Sequence, residues 1–526
     1  MITHCAGIEA DTGSKSALAS GFTADSDVIA AIATPPGIGA VGIVRLSGDG
    51  VLSVFNRIFK AGFIGRREPD KSALYVRDGV SNALPLSDAA SIRWESHRMY
   101  YGQVWQDNEL IDEVMACCML APRSYTREDT IEIYAHGGFA TLYGVLNAVL
   151  KNGARLAQPG EFTKRAFLNG RINLTQAEAV MDLIGAASGA ARRAGLRQLG
   201  GGLGKRIESG RDKLLTWLAN IELSIDYPEH EDEAMNRGMI LSQGENWLTD
   251  MESLCKTAEV GRVIREGIKT AILGRPNVGK STLLNAVLGE DRAIVHEIPG
   301  TTRDVLTERV ELGDIVLQLM DTAGIRETTD PIERIGVEKA HQAAEDANLV
   351  IYVVDRSKPP EAEDIEILNR LQAATDERLS IGERVHVVIV FNKCDLPPAE
   401  GWDGWQAGTA PITTELVYTP HIHCISAQNR DGLDNLYESI KKIFLQGQLT
   451  YADAEADIIT RERHKELLQS AIAGVRNAMD ELHAGVEEDL VSVRLREAYM
   501  ALGEILGLEV SDDIVERIFS EFCVGK

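Results

Sequence analysis

The stretch Gly274-Arg-Pro-Asn-Val-Gly279-Lys280-Ser281 directly follows a β-rich run at residues 268–273. Glycines in such a loop leave backbone N–H groups open to phosphate oxygens, and the lysine neutralises oxygens of the β and γ phosphates. The hydroxyl of Ser281 is suited to Mg²⁺. Because a Gly/Lys/Ser loop on its own is also compatible with an ordinary strand-to-helix turn, the downstream motifs decide the fold.

Further motifs follow in a fixed order, namely Thr302, Asp321-Thr-Ala-Gly324, Asn392-Lys393-Cys-Asp395 and Ser426-Ala427. The carboxylate of Asp395 can accept from the N1–H and the exocyclic amine of guanine, a donor pattern that adenine lacks. The order of the motifs, three of them behind β-rich runs, predicts an α/β Ras-like P-loop GTPase domain that binds GTP. The predicted GTP contacts, with Ser281 and Thr302 as Mg²⁺ ligands, are Asn277, Val278, Gly279, Lys280, Ser281, Thr282, Thr301, Thr302, Asp321, Gly324, Asn392, Lys393, Asp395, Ser426 and Ala427.

The catalytic water needs an unusual partner in this chain. Ile325 stands where a Ras-like enzyme has a glutamine, and its side chain has no polar atom to orient water. Glu327, Asp330 and Glu333 are nearby carboxylates, and Glu333 is the predicted catalytic residue. Charge on the transferring phosphate must be offset by Arg303, Arg326, a partner or a bound cation. We predict K⁺, with ligands from Asn277, His296, Ile298 and Thr301.

Composition places the chain among globular proteins. Its 526 residues are 44% hydrophobic and 25% charged, with a net charge of −25, and their number predicts roughly three domains. The acidic balance argues against a broad nucleic-acid-binding face, yet residues 161–213 hold ten Lys/Arg against five Asp/Glu. That basic segment is compatible with RNA contact, although on charge alone a solvated helical face is the favoured interpretation.

Cysteine usage and the chain start bear on the compartment. Seven scattered cysteines form neither a disulfide framework nor a CxxC metal spacing, which favours a reducing, cytoplasmic location. The two longest uncharged stretches fall short of the ~20 apolar residues of a membrane helix, so no span is expected. Residues 1–26 lack a basic start and an apolar block, and are therefore predicted to be a disordered leader instead of a signal peptide.

Sequence texture divides the rest of the chain. Residues 27–155 alternate short β-rich runs with turn signals, which predicts an α+β N-terminal domain. Residues 156–267 and 446–526 have few prolines and apolar residues at helical spacing. Because each of these segments is short for a separate bundle, we predict one discontinuous α-helical domain. The GTPase domain, residues 268–445, is inserted into it.

Several motifs together resemble the MnmE (TrmE) family of tRNA-modification GTPases. The resemblance covers residues 27–526. Its marks are Thr34-Pro-Pro-Gly37, Gly42-Ile-Val-Arg45-Leu-Ser-Gly48, Glu132 before His136-Gly-Gly138, Pro159-Gly-Glu-Phe162 through Arg165-Ala-Phe-Leu-Asn169, Gln176-Ala-Glu-Ala179, Glu333-Arg-Ile-Gly336 and Phe522-Cys523-Val-Gly-Lys526.

The resemblance implies a reaction and partners. Members of this family work with an FAD-containing partner, MnmG, and add an aminomethyl or carboxymethylaminomethyl group at C5 of the wobble uridine of tRNA. A tetrahydrofolate derivative supplies the one-carbon unit, and the N-terminal domain is implied to bind it and to form a homodimer. Cys523 is a candidate catalytic residue, although an inert core thiol explains it as well. The implied folate-binding residues are Arg45, Glu132, Arg171 and Lys526.

A switch without covalent chemistry of its own is the main alternative. An Era-like ribosome-assembly GTPase shares the loop motifs and would use the basic segment for rRNA. Such a protein should carry a compact RNA-binding module after its GTPase domain. This chain has instead a proline-free helical tail and a large N-terminal domain, which favours the tRNA-modification reading.

Overall fold

A computed structural model describes residues 27–35, 37–62, 93–226, 233–289, 308–320, 346–380, 385–402, 421–445 and 457–525. The predicted leader, residues 1–26, lies outside them. The described chain forms two compact units, one of residues up to Met181 and from Gly503 onward, and one from Asp182 to Leu502. These units divide the chain at other positions than the predicted domains, whose boundaries at 155, 267 and 446 stay predictions.

A mixed sheet forms the centre of the first unit. Its strand order is β3-β4-β5-β6-β2-β1-β7, with β1 and β7 parallel and the other neighbours antiparallel. This mixture of hairpins and helices confirms the predicted α+β class. The strands are β1 (Ile29–Ile32), β2 (Val41–Ser47), β3 (Phe59–Ala61), β4 (Arg98–Gln106), β5 (Glu109–Met119), β6 (Thr130–His136) and β7 (Arg155–Leu156).

Side-chain alternation gives this sheet two different faces. Val44 and Leu46 of β2 point into a core with helices α1 (Val51–Ile58) and α2 (Phe139–Lys151). Ile29 and Ala31 of β1 pack on the opposite side against Phe162 of α3 (Glu161–Leu168). Arg45 pairs with Ala31 in the strand register, so it lies on the α3 face. The α3 face therefore carries the predicted folate residues of the strands.

A second sheet, in the second unit, has the order β13-β12-β11-β8-β10-β9. All neighbours are parallel except β9 and β10. Every residue of the central strand β11 is buried, as expected where helices cover both faces of a parallel sheet. The strands are β8 (Ile268–Leu273), β9 (Glu308–Leu312), β10 (Ile315–Leu319), β11 (Leu349–Asp355), β12 (His386–Asn392) and β13 (His421–Cys424).

Helices cover the two faces of the second sheet. Helices α9 (Lys280–Leu288) and α11 (Leu433–Leu445) pack on one face, and α10 (Ala362–Ser380) packs on the other. This layered arrangement confirms the predicted α/β P-loop domain. It also places the loops after β8, β11, β12 and β13 at one edge of the sheet, where ligands of such folds bind.

The remaining helices come from both sides of the GTPase segment. Their bounds are α4 (Leu174–Ile184), α5 (Gly189–Leu199), α6 (Gly202–Asp226), α7 (Glu233–Lys256), α8 (Ala258–Glu266), α12 (Glu462–His483) and α13 (Glu488–Leu506). Both buried tryptophans of this layer, Trp217 and Trp247, satisfy their indole N–H groups, on Gln243 and on the Gly210 carbonyl.

The two helical segments meet in space. Asp182 accepts from Arg265, at 3.1 Å, and from Arg461, at 2.7 Å, on either side of the inserted domain. The backbone N–H of Ile459 donates to the Thr257 hydroxyl at 3.0 Å. The prediction of a discontinuous helical domain with the GTPase inserted in it is confirmed.

The C-terminal segment returns to the first unit. Helix α14 (Asp512–Ser520) contributes Val515 and Phe519 to a core with Leu174 and Ala177 of α4. From there the chain brings the Gly525 carbonyl oxygen within 3.1 Å of an Arg45 nitrogen. This return explains why the first unit includes residues that the sequence assigned to the helical domain.

Candidate functional sites

The phosphate-binding loop lies between β8 and α9 and needs its glycines. Gly274 has φ 146° and Gly279 has φ 100°, conformations that residues with a Cβ rarely adopt. A Cβ at Gly274 would collide with the Val353 carbonyl, and one at Gly279 with the side-chain nitrogen of Asn392. Lys280 donates from Nζ to the carbonyls of Gly274, at 2.6 Å, and Arg275, at 2.7 Å. The predicted lysine is therefore held over the loop.

Asn392 joins two loops of the nucleotide site. Its Nδ2 donates to the Val278 carbonyl at 2.9 Å, and its Oδ1 accepts from the Ala427 backbone N–H at 3.0 Å. Asn392 is 2% exposed, so neither bond is weakened by competing water. The structure thus brings together three of the predicted motifs through one amide side chain.

Lys393 connects the base loop with the phosphate loop. Its Nζ donates to the Asn277 carbonyl at 3.0 Å and to a carboxylate oxygen of Asp355 at 2.6 Å. Burial opposes ionisation of Asp355, but hydrogen bonds from Lys393 and Ser357 lower the pKa of its carboxyl below the usual range. Asn277 and Lys393 both adopt left-handed backbone conformations, φ 62° and φ 63°. The Lys393–Asp355 ion pair thus lies between the two strained loops and holds the base loop against the Asn277 carbonyl.

Other predicted nucleotide contacts surround this centre. Asp395, the predicted base-reading residue, is exposed. Ser426 and Asp431 exchange two backbone hydrogen bonds, which shape the loop that carries Ala427. Ser281 and Thr282 are exposed on the first turn of α9. Asp395, Ser281 and Thr282 are therefore accessible to a ligand at this edge of the sheet.

A cluster of side chains that supports the phosphate loop was not predicted from the sequence. Arg275 donates to Asp364 at 3.0 Å and pairs with Glu361 at 2.5 Å, and the Tyr352 hydroxyl donates to Asp364 at 2.9 Å. Burial, followed by the adjacent Asp364 charge, raises the pKa of the Tyr352 hydroxyl. The one signal in the sequence was Asp364 in the first turn of α10, a position where a carboxylate often accepts hydrogen bonds from backbone N–H groups. It did not indicate Arg275 or Tyr352 as partners.

Part of the predicted site lies outside the described residues. This applies to the residues expected to complete the Mg²⁺ and K⁺ sites, to the predicted catalytic carboxylate and to the chain's last residue. They are His296, Ile298, Thr301, Thr302, Asp321, Gly324, Glu333 and Lys526. Their roles stay predictions.

A second site is built on the α3 face of the first sheet. Arg45 and Glu132 are partners in the β2–β6 register, and two Arg45 nitrogens lie 2.9 Å from Oε1 of Glu132. The other oxygen of Glu132 accepts from the Tyr134 hydroxyl at 2.7 Å. Burial, then the bond to Glu132, raises the pKa of Tyr134 to about 12. The carboxylate is thus oriented from two sides.

Arg45 and Glu132 line a cavity of about 740 Å³. Arg171, another predicted folate residue, places its guanidinium carbon 4.8 Å from the Tyr125 ring centre and donates to the Tyr125 carbonyl at 3.0 Å. The structure therefore brings Arg45, Glu132 and Arg171 together at one cavity. Its lining residues are Arg45, His97, Met119, Pro122, Arg123, Ser124, Tyr125, Arg127, Glu132, Gly170, Arg171 and Val180.

Cys523 lies on the C-terminal segment near this site. It is exposed, and its backbone carbonyl accepts from the Gly160 N–H at 3.4 Å. Two residues later, the Gly525 carbonyl accepts from Arg45. The terminal motif is thus attached to the α3 face through its backbone, while the catalytic role of the Cys523 thiol stays a prediction.

An ionic network below the α3 helix was not anticipated. Arg165, 3% exposed, pairs with Asp27 at 2.7 Å, with Glu161 at 3.1 Å and with Glu128 at 3.2 Å. Arg155 shares Asp27 and Glu161. Burial opposes ionisation of Glu161, but the bond from Arg155 lowers the pKa of its carboxyl. Glu161 and Arg165, both part of the motif quoted above, thus pair with other protein side chains and have a structural role in this network.

Membrane-spanning helices and metal-binding clusters are both absent from the described part of the chain. No helix there is long and apolar enough to cross a membrane. The described residues also hold no group of three or more His, Cys, Asp and Glu side chains placed to bind a metal ion.

Comparison with known proteins gives consistent matches along the chain. A family model described as "GTP-binding protein TrmE N-terminus" matches residues 28–171, and one described as "MnmE helical domain" matches residues 174–523. One solved structure, the G domain of the T. maritima FeoB iron transporter, is similar at 23% identity with a TM-score of 0.22, over 33% of this chain and 97% of that one.

Curated relatives named tRNA modification GTPase MnmE match at nearly full length. The Listeria innocua protein is 41% identical over 504 residues, 95% of this chain and 99% of its own. The Finegoldia magna protein is 40% identical over 501 residues, 95% of this chain and all of its own. Since these identities extend over nearly the whole of both chains, the chain belongs to the tRNA modification GTPase MnmE family.

Proposed function

We propose that this chain hydrolyses GTP as a component of the machinery that modifies the wobble uridine of tRNA at C5. The observation that carries the proposal is the presence of two built sites in one chain. The nucleotide loops are tied together by Asn392, and a separate cavity is lined by Arg45, Glu132 and Arg171. A nucleotide switch alone would not require the second site.

The nucleotide site suits guanine, with Asp395 as the residue that reads the base and Lys280 as the counter-charge of the phosphates. Mg²⁺ would be held by Ser281 and Thr302. For hydrolysis, Glu333 would position the water, and K⁺ held by Asn277 and the loop containing His296, Ile298 and Thr301 would offset the developing charge.

The cavity suits a tetrahydrofolate derivative, which supplies a one-carbon unit when bound. A pterin presents N–H donors that the Glu132 carboxylate can accept, and Tyr134 keeps that carboxylate oriented. Arg171 and Lys526 would hold the glutamyl carboxylates of folate. Arg45 would keep Glu132 in place, because its guanidinium bridges that side chain and the Gly525 carbonyl.

The proposed partners are a second copy of this chain, an FAD-containing MnmG protein and tRNA, in the cytoplasm. The name of the curated relatives supports tRNA as the substrate. The helical tail formed by α12, α13 and α14 in the described residues, together with the family match, speaks against the Era-like alternative. The basic segment 161–213 remains the proposed RNA contact.

A reconstituted reaction tests the proposal. The full chain is combined with MnmG, tRNA and a tetrahydrofolate one-carbon donor, and modified uridine is measured by nucleoside mass spectrometry. Wild type should work with GTP in KCl and fail in NaCl, because the smaller ion does not reach the same oxygens. Asp395→Asn should prefer XTP, since an amide matches the carbonyl and N–H of xanthine. Modification that is independent of nucleotide would overturn the proposal.

A further inference from the structure

The mouth of the cavity carries positive charge that no acidic residue of the lining offsets. Arg123, Arg127 and Arg171 line it, and all three side chains are exposed. In the described part of the chain, no carboxylate forms an ion pair with any of them. Glu132 is the acidic residue of the lining, and Arg45 already pairs with it. The mouth therefore presents three guanidinium charges to whatever enters.

Two of these guanidiniums are held in place by neutral groups. Arg127 donates from Nη1 to the carbonyls of Asn169, at 2.9 Å, and Gly170, at 3.2 Å. Arg171 stacks on the Tyr125 ring and donates to the Tyr125 carbonyl. Such contacts reduce side-chain freedom without offsetting charge, and each guanidinium retains N–H donors for a further acceptor. Cations fixed in this way are preorganised for an anion.

The backbone at the cavity mouth is also unusual. Arg127 and His97 both have φ 63°, a left-handed conformation that is unusual for residues with long or branched side chains. Strain of this kind persists where surrounding structure enforces it, and it is concentrated at ligand-binding sites. Two such residues at one cavity mouth are an observation independent of the charge.

We propose that Arg123 and Arg127 form a subsite for the γ-linked glutamate tail of a polyglutamylated folate. The inference rests on the proposed folate site. With the pterin against the half-buried Arg45–Glu132 pair, the far end of the ligand reaches the exposed mouth. Each added glutamate brings one carboxylate, which matches a planar guanidinium in a two-bond arrangement. Arg171 serves the first glutamate, and the two further arginines serve the extension.

An extended tail explains the arrangement better than an RNA phosphate. The exposed arginines line the same concave cavity as the half-buried Arg45 and Glu132, so a ligand seated against that pair can extend to them. A duplex or stem meets a protein through a broader surface of positive charge. RNA binding at these arginines is the competing outcome that the experiment separates.

Calorimetry on the full-length chain tests the subsite with two probes, 5-formyltetrahydrofolate carrying one glutamate and the same compound carrying three. Wild type should bind the triglutamate form at least about tenfold more tightly, since one charge-assisted contact is worth about that factor. Arg127→Gln and Arg123→Gln should each remove most of this preference and leave monoglutamate affinity unchanged. Arg57→Gln is the matched control, because its exposed guanidinium donates to a backbone carbonyl in the same unit, away from the cavity.

The outcomes are distinguishable. Tight binding of both probes by wild type with equal affinity would overturn the tail subsite and keep the folate proposal. Failure of wild type to bind either probe would overturn both. An unchanged preference in the two variants, with weakened tRNA binding, would assign the arginines to RNA and overturn the subsite. A wild-type preference for the triglutamate probe that falls as the NaCl concentration rises supports the subsite, because exposed ion pairs are screened by salt.

Discussion

The nucleotide site and the N-terminal cavity are built in different ways. In the nucleotide site, the loops after β8, β12 and β13 meet at one sheet edge, and Asn392 contacts two of them. In the cavity, single residues converge from distant parts of the chain, as when Arg45 contacts both Glu132 and Gly525. A site made of contiguous loops is visible in sequence as motifs. A site made of isolated side chains is visible only after folding.

Both sites nevertheless use strained backbone. The left-handed residues other than glycine in the described chain include Asn277 and Lys393 at the nucleotide site, and His97 and Arg127 at the cavity. At the nucleotide site the strain is fixed by an ion pair between the half-buried Lys393 and the buried Asp355. At the cavity it is fixed by contacts to backbone carbonyls. The first arrangement is sensitive to acid, whereas the second leaves charge available for a ligand.

The largest effect is expected from Gly279→Ala, which should break the nucleotide site and spare the cavity. The new methyl group collides with Asn392 and displaces its two hydrogen bonds, about 3 kcal/mol together, so GTP affinity should fall about a hundredfold. Gly485→Ala is the control, because Gly485 has φ 82° with open space around it. Calorimetry that finds equal GTP affinity in both variants would contradict this role of Asn392.

Arg45→Ala should break the cavity and spare the nucleotide site. It removes the charge-assisted bonds to Glu132 and the bond to Gly525, so tetrahydrofolate affinity should fall tenfold to a hundredfold, or about 1.5–3 kcal/mol. GTP affinity should stay unchanged, because the two sites belong to different units. Loss of GTP binding in this variant, with Arg57→Ala normal, would mean that Arg45 is structural.

Acid should affect the nucleotide site through Asp355, with a smaller effect than either substitution above. Its pKa is lowered in the folded state, so its contribution to stability is present above the unfolded pKa and is lost as pH falls through the folded one. Urea unfolding without nucleotide should therefore show a shallower loss of stability below about pH 5 in Asp355→Asn than in wild type. A parallel pH dependence in Asp355→Asn and in the control Asp376→Asn would contradict the Asp355–Lys393 assignment.

The contrast between contiguous loops and isolated side chains also explains which features the sequence predicts. Periodicity and loop motifs predicted the α/β sheet and the inserted domain, and they assigned Lys280 and Asn392 to one nucleotide site, where their roles stay predictions. The Arg275–Asp364–Tyr352 cluster was not predictable, because its members are separated by up to 89 residues and only Arg275 lies in a motif, one that does not indicate its partner. Arg45 and Glu132 came from a family resemblance, since alternation alone explains them as a polar strand face. The return of α14 to the first unit depends on the packing of Phe519 and Val515. Helical periodicity shows that these residues are apolar on one face, but it does not show which helix that face packs against.

The most direct test of the account asks whether both sites serve one reaction. Cells whose own copy is replaced by Gly279→Ala or by Arg45→Ala are grown, and their tRNA is analysed by nucleoside mass spectrometry. The account predicts that C5-modified wobble uridine is lost in both strains, although each variant keeps the ligand of its intact site. Wild-type levels of the modified nucleoside in either strain would contradict it.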